Sequence, residues 1–269
     1  MPIRKPCAAG TFYPQEPDEI RAFAEPRLIS GDSPPFVRAV ILPHAGYIYS
    51  GETACRVLSR IRVPKDIFLI GPNHRGTGFP FALTAQGEWE TPLGRVPIHS
   101  ELASRLLETS HGFTQDQEAH RFEHSLEVEI PLLQVKNKNI CIVPLIVGTL
   151  DLEASREAAL ACGECLQDYS KESLLVVISN DMSHYESDAS TRKKDQYALQ
   201  AIENLDEEAL AQAVMQHNIS MCGFVPVYML LVMKDLLGLR KATLVDYRTS
   251  ADATGDQDRV VGYAGFIFE

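Results

Sequence analysis

The chain has 269 residues, 45% hydrophobic and 23% charged, the balance of an ordinary soluble globular protein. Its 25 basic and 36 acidic residues give a formal charge of −11, and no basic cluster is longer than Arg192–Lys194. That argues against nucleic acid and anionic membranes as partners. No apolar run approaches the roughly 20 residues of a membrane span, and the amino terminus lacks the apolar core of a signal peptide. The chain is therefore expected in the cytoplasm, where Cys7, Cys55, Cys141, Cys162, Cys165 and Cys222 read as thiols or metal ligands before disulfides.

Residues 1–35 are rich in proline and glycine, with a helical stretch near Asp18–Ile29 and a loop at Asp32–Pro35. Val37 to Leu42 is apolar apart from Arg38 and stops at Pro43, with His44 directly after it. A short continuous apolar run closed by turn residues reads as a buried parallel strand. Ser50 is then the expected cap of a helix over Glu52–Ile61. A second strand, Asp66–Ile70, breaks at Gly71-Pro-Asn73 and delivers His74. Residues 81–98 read as a hairpin excursion around Trp89, and Ser100–Glu108 as a helix capped by Ser100.

Thr114–Glu129 is polar and acidic, with His120 and His124 inside it, and Ile130–Val135 continues as helix. Ile140–Val147 is a third core strand, broken only by Pro144. A helix over Leu152–Tyr169 leads to the strand Leu174–Ile178, which ends in a polar turn, Asn180-Asp181, and delivers His184. Helices follow at Asp188–Asn204, Asp206–Gln216 and Val225–Leu237, the last stopped by Gly238. Thr243–Asp246 and Val260–Phe268 close the chain as strands. Strands and helices alternate throughout, so residues 1–269 read as one α/β domain, a three-layer α/β/α sandwich around a largely parallel mixed sheet.

Three strands ending in histidines converge on one site if they lie in one sheet, because ligands gather at the carboxyl ends of such strands. Neutral imidazole is both a metal ligand and the usual general base. His99, His111 and His217 read as structural instead. Asp181 has two readings: a carboxylate that orients the ring of His184, or a cap for the turn that follows. Cys222 sits just before a helix start, where a thiol has a lowered pKa, although the residues alone favour a small buried apolar side chain. Cys162 and Cys165 have redox spacing inside a helical pattern and read as incidental. His120-Arg-Phe-Glu-His124 fits the H-x-x-E-H zinc-peptidase signature, but no long apolar helix holds it and no third ligand is evident.

Taken together, Pro43-His-Ala-Gly-Tyr-Ile-Tyr-Ser-Gly51, Gly71-Pro-Asn-His74, Glu123-His-Ser-Leu-Glu127, Pro144-Leu-Ile-Val-Gly148, Ser179-Asn-Asp-Met-Ser-His184 and the stretch from His217 to Gly223 resemble the Memo family. Its bacterial and archaeal members are called AmmeMemoRadiSam system protein B. The resemblance implies a metal site at His44, His74 and Cys222, with Asp181 and His184 completing the pocket and His124 as a further donor. It promotes Cys222 and demotes the peptidase motif, since Glu123 and His124 belong to the family pattern and His120 does not.

The family's fold is similar to that of class III extradiol dioxygenases, non-haem iron enzymes with two histidines and a carboxylate. A thiolate in place of that carboxylate puts ring cleavage in doubt and favours softer metals. The expected cofactor is a transition metal, iron or copper first and zinc after them. The expected function is redox chemistry on a small molecule, against a non-catalytic module that binds metal or a phosphopeptide. The system name implies work beside a radical S-adenosylmethionine protein.

Overall fold

The computed structural model describes every residue except Met1, Ser30, Asp32, Ser110 and His111. The reading of His111, and of Asp32 in its loop, lies outside the described residues. The strands are β1 Ile3–Arg4, β2 Ala39–Leu42, β3 Asp66–Pro72, β4 Phe81–Leu83, β5 Glu88–Thr91 and β6 Gly94–Pro97. They continue with β7 Thr114–Gln115, β8 Cys141–Val147, β9 Leu174–Ser179, β10 Asp181–Glu186, β11 Ala242–Thr249 and β12 Val260–Phe268. The main helices are α1 Pro17–Ala24, α2 Tyr47–Ser59, α3 Ser100–Thr109, α4 Glu118–Arg121, α5 Ile130–Lys136, α6 Leu152–Leu166, α7 Asp188–Glu203, α8 Glu207–His217 and α9 Phe224–Val232.

Among the described residues, nine strands form one mixed sheet in the order β10-β12-β2-β9-β3-β8-β4-β7, with β11 on β12. Its centre, β2-β9-β3-β8, is parallel. The alternating side chains of these strands are buried on both faces, which is why they read as unbroken apolar runs. Ile41, Phe68, Val143 and Val176 pack with Leu102 of α3, Ala158 of α6, Leu210 of α8 and Leu230 of α9. Val40, Ile67, Ile142 and Val177 face the other way, onto Ile20 of α1, Leu58 of α2 and Leu132 of α5. The expected three layers are thus present, with α/β/α order. The second, three-stranded sheet is β1-β5-β6.

Several boundaries differ from the sequence reading, each for a physical reason. The first helix stops at Ala24, because Pro26 cannot continue it and restricts the residue before it. The helix after His44 begins at Tyr47, five residues early: the carbonyl of Gly46 accepts from Tyr49 and Ser50. Ser50 is therefore inside the helix and donates to the Ala45 carbonyl (2.9 Å). At α3 the cap is His99, whose Nδ1 accepts from the Leu102 amide at 3.2 Å, and not Ser100. Only residues 88–97 of the expected excursion form a hairpin, since β4 joins the main sheet against β8.

The largest difference is β10. The expected polar turn after β9 is a strand antiparallel to the first part of β12, in the pairing Asp181 to Tyr263 and His184 to Val261. The later part of β12 pairs with β2. Because β12 runs antiparallel to β2, β10 lies just beyond the carboxyl end of β2, where the chain delivers His44.

Candidate metal centre

Register brings the histidines together. In the parallel centre of the sheet Leu42 is level with Ser179, and Ile70 with Ile178. The residues that leave β2, β9 and β3 therefore emerge side by side. The ring centroids of His44 and His74 are 5.1 Å apart, and His124 lies 5.6 Å from the first and 4.7 Å from the second. His44, His74 and Cys222 form a group whose candidate ligand atoms all lie within 4.8 Å of one another. A second group with that spacing is His74, Glu123 and His124.

Hydrogen bonds decide which nitrogen of each ring faces inward. The Ser179 hydroxyl donates to the Ser125 carbonyl (2.8 Å), so toward His44 Nδ1, 2.6 Å away, it accepts. Nδ1 then carries the hydrogen and Nε2 keeps its lone pair, 3.2 Å from Cys222 Sγ. Burial first, and the neighbouring His74 second, hold the pKa of His44 well below the ordinary histidine value, so the ring is neutral.

At His74 the partner is a carboxylate: Glu123 Oε1 lies 2.9 Å from Nδ1 and also accepts from the Ser125 amide at 2.9 Å. Burial opposes the charge on Glu123, but the His74 contact and the Ser125 amide outweigh it and bring the carboxyl down to about 2. A carboxylate only accepts. His74 Nδ1 therefore donates, and Nε2 is the atom left over as a candidate ligand. These are the outer hydrogen bonds that orient histidine ligands and raise their basicity.

Cys222 is held in place by backbone. Its amide donates to the Asp181 carbonyl (3.1 Å), and the Gly223 amide donates to Asn180 Oδ1 (2.9 Å). A Cβ at Gly223 would lie 2.4 Å from the Ser179 carbonyl oxygen, so this corner closes only around glycine. The thiol itself departs from expectation. Burial, then the charge of Asp181, push its pKa well above the ordinary value, and the backbone groups around it, the Gly223 amide before α9 among them, lower it too little to offset them. Cys222 is therefore a thiol here and not a thiolate.

Asp181 does not orient the ring of His184. Its Oδ1 accepts from the His44 amide at 2.8 Å, and its Oδ2 lies 3.9 Å from His44 Nε2. The partner of His184 Nδ1 is the Ser220 carbonyl (2.9 Å), which leaves Nε2 free. From Asp181 to His184 β10 advances by three residues while β12 advances by two, a bulge. The extra residue puts Asp181 and His184 on the same side of the sheet, which an unbroken strand would not do.

His124 completes the cluster. Its ring packs on Phe12 with centroids 4.2 Å apart, and its buried Nδ1 makes no hydrogen bond but lies 3.4 Å from Glu123 Oε1. Burial and then His44 lower its pKa to about 4, so it too is neutral. The H-x-x-E-H segment does not make one site. Its helix, α4, ends at Arg121, and His120 turns elsewhere, with Nε2 3.0 Å from the Ala82 carbonyl. The other carboxylates diverge as well. Glu127 faces Arg4 at 2.6 Å, and Glu129 is buried without a hydrogen-bond partner, its carboxyl pushed well above the ordinary range by burial. His99 and His217 are structural as expected, the latter stacked on Tyr197 at 3.8 Å. Cys162 and Cys165 are buried free thiols of α6, and Cys222 and the other three cysteines are also free.

The donor set fits a transition metal. Two imidazoles with their outer nitrogens tied face one thiol, and a third imidazole, His124, lies beside them. Two imidazoles with a sulfur suit copper, iron or zinc better than hard cations.

The comparisons with known proteins bear on the chain as a whole. The family model for Memo-like proteins matches residues 4–267. The chain belongs to the Memo family. A MEMO1 family protein of Aquifex aeolicus is 41% identical over 272 residues, covering 100% of both chains. One from Methanopyrus kandleri is 36% identical, covering 98% of each, and one from Thermotoga neapolitana is 36% identical, covering 98% of this chain and 99% of the relative. Among solved structures, an uncharacterized protein of Escherichia coli K12 shares the fold with a TM-score of 0.55 and 16% identity, covering 87% of this chain and 100% of its own.

Ser179, Ser125 and Ser220 are the members of this cluster that sequence reasoning passed over. The signal for Ser179 was present, as a hydroxyl closing an otherwise apolar strand. Ser125 and Ser220 act through tertiary contacts that no local pattern announces.

Proposed function

We propose that this Memo-family protein holds one transition metal between His44 Nε2, His74 Nε2 and Cys222 Sγ, iron or copper before zinc, and carries out redox chemistry on a small molecule there. The observation that supports the reading is the pair of outer hydrogen bonds, donated by His44 Nδ1 to Ser179 Oγ and by His74 Nδ1 to Glu123 Oε1. They aim the two free nitrogens at one thiol. A bound metal would supply Lewis-acid and one-electron chemistry.

The chain's own residues supply the rest. Asp181 places negative charge beside His44 and fixes the loop through the His44 amide. His184, half-buried on the same side of β10, moves a proton at Nε2, while Ser220 holds its ring. His124 offers a neutral nitrogen to substrate. No helix among the described residues is long and apolar enough to cross a membrane. With six free thiols, the chain is proposed to work in a reducing, cytoplasmic setting.

The test is the metal content of anaerobically purified protein beside His44→Ala and Cys222→Ser, followed by oxygen uptake over a panel of catechol-like compounds. Near one iron or copper per chain, lost in both variants, with saturable uptake for one compound, is the expected result. Wild type that stays metal-free after anaerobic loading would overturn the reading. Metal without turnover on any compound would overturn its redox half.

A further inference from the structure

His184 sits between two irregularities of β10. From Asp181 to His184 the strand advances by three residues against two of β12, and from His184 to Glu186 by two against one. Tyr185, the extra residue of the second bulge, has φ +63°, in the left-handed region that side chains other than glycine seldom adopt. Two bulges and a strained residue around one histidine are costly for a plain edge strand. Such features collect where a side chain has to be aimed.

The first bulge has a dedicated support. Asp195 of α7 is fully buried, and its Oδ1 accepts from the Ser183 amide at 3.1 Å. Its Oδ2 accepts from the Tyr247 hydroxyl at 2.7 Å, which fixes the carboxyl from the side of β11. Gly262 of β12 makes the room, since a Cβ there would overlap Asp195 Oδ2. Burial raises the Asp195 pKa above the ordinary value, against the hydrogen bonds from Ser183 and Tyr247. What Asp195 offers Ser183 is thus an acceptor atom more than a charge.

The competing register is one residue away. Continued without a bulge from the Asp181–Tyr263 pair, the ladder would set Ser183 opposite Val261 and His184 opposite Val260. A slip of one residue turns a side chain to the other face of the sheet. His184 would then leave the side of Asp181 for that of Met182, which is buried in the core. It would also leave Ser220, whose hydroxyl accepts from the His184 amide at 2.8 Å and whose carbonyl accepts from Nδ1 at 2.9 Å. An acceptor for the Ser183 amide away from β12 favours the bulged register over the regular one.

We propose that Asp195 is a positioning residue for His184: through the Ser183 amide it holds the bulge that puts His184 on the side of Asp181, with Gly262 as the space it needs. The chemical use of that placement rests on the proton transfer proposed for His184. The placement itself does not.

The test reads histidine tautomers by NMR in the metal-free full chain, grown with isotope-labelled histidine, at a pH where histidine is neutral. The His184 signal is assigned by its loss in His184→Gln. In wild type the Ser220 carbonyl should hold His184 as the Nδ1–H tautomer. Asp195→Asn keeps an acceptor for Ser183 and can donate to the Tyr247 oxygen, so it is expected to keep that tautomer. Asp195→Ala removes the acceptor, and Gly262→Ala displaces it. Both are expected to shift His184 to Nε2–H and to speed exchange of the Ser183 amide by about tenfold, the size of one buried hydrogen bond. An unchanged His184 signal in either alanine variant that folds would overturn the proposal, as would loss of the tautomer in Asp195→Asn. Failure of both alanine variants to fold would also overturn it, by making Asp195 a support of the whole sheet. Metal uptake, measured separately, should be unchanged in Asp195→Ala. A wild type that takes no metal would remove the proposed chemistry and leave the tautomer comparison standing.

Discussion

Glu123 and Glu127 lie four residues apart on one segment, both buried and both with carboxyls held below their ordinary range. They differ in what their donors do next. Glu127 accepts from the Arg4 guanidinium, the Cys7 and Ala8 amides and the Tyr13 hydroxyl. Of those, Arg4 goes on to backbone carbonyls, those of His120 and Glu123 among them, both 2.7 Å away, so the cluster fastens the amino-terminal segment to the body. Glu123 accepts from an imidazole, which passes the effect to a second nitrogen facing Cys222 and His44. A buried carboxylate is thus read by its partner's remaining valence, and burial or pKa alone would not separate the two.

Exchanging the consequences of these residues would break the comparison. The largest effect is expected from Glu127→Ala. It leaves the Arg4 charge buried without its partner and should cost about 3–5 kcal/mol in urea unfolding, with metal content per folded chain unchanged. Glu123→Gln keeps the shape but removes the charge. It should lower metal affinity by about 10–100-fold, roughly 1.4–2.8 kcal/mol, with a smaller change in unfolding. Ser179→Ala removes the acceptor for His44 Nδ1 and should cost about tenfold in affinity, at the low end of the same range. If Glu127→Ala released metal while Glu123→Gln did not, the division of labour would be reversed.

Acid sharpens the contrast in a smaller way. The folded carboxyl of Glu127 lies below its ordinary value near 4.5, because Arg4 and the amides outweigh burial. Its contribution is therefore fully present above the unfolded value and is lost as pH falls through the folded one. The stability gap between wild type and Glu127→Gln should narrow on acidification below about pH 4.5 and stay level above it, as followed by urea titrations across pH. A gap that widens in acid would reverse the sign assigned to Glu127.

Much of this was legible in the sequence, and the limits are instructive. Apolar runs over Val37–Leu42, Asp66–Ile70 and Leu174–Ile178 announced the parallel centre, since burial on both faces leaves a continuous signature. The convergence of His44 and His74 followed from strand ends, and Cys222 needed the family resemblance. What stayed hidden was tertiary. Residues Asp181–Glu186 look like a turn because they are polar, and only the free first half of β12 makes them a strand. Glu123, Glu127 and Glu129 sit in a stretch whose composition suggests solvent, yet all three are buried. The partner of His184 is a carbonyl 36 residues away, which no spacing rule reaches.

The central claim is that one metal sits among His44, His74 and Cys222. It is tested most directly by anomalous diffraction from crystals of the metal-loaded protein, collected at the metal's absorption edge. The account predicts one peak, about 2.0–2.1 Å from Nε2 of His44 and of His74 and about 2.3 Å from Cys222 Sγ, as for a bound zinc-like ion. A peak held instead by His74, Glu123 and His124, or no peak in that cluster, would contradict it.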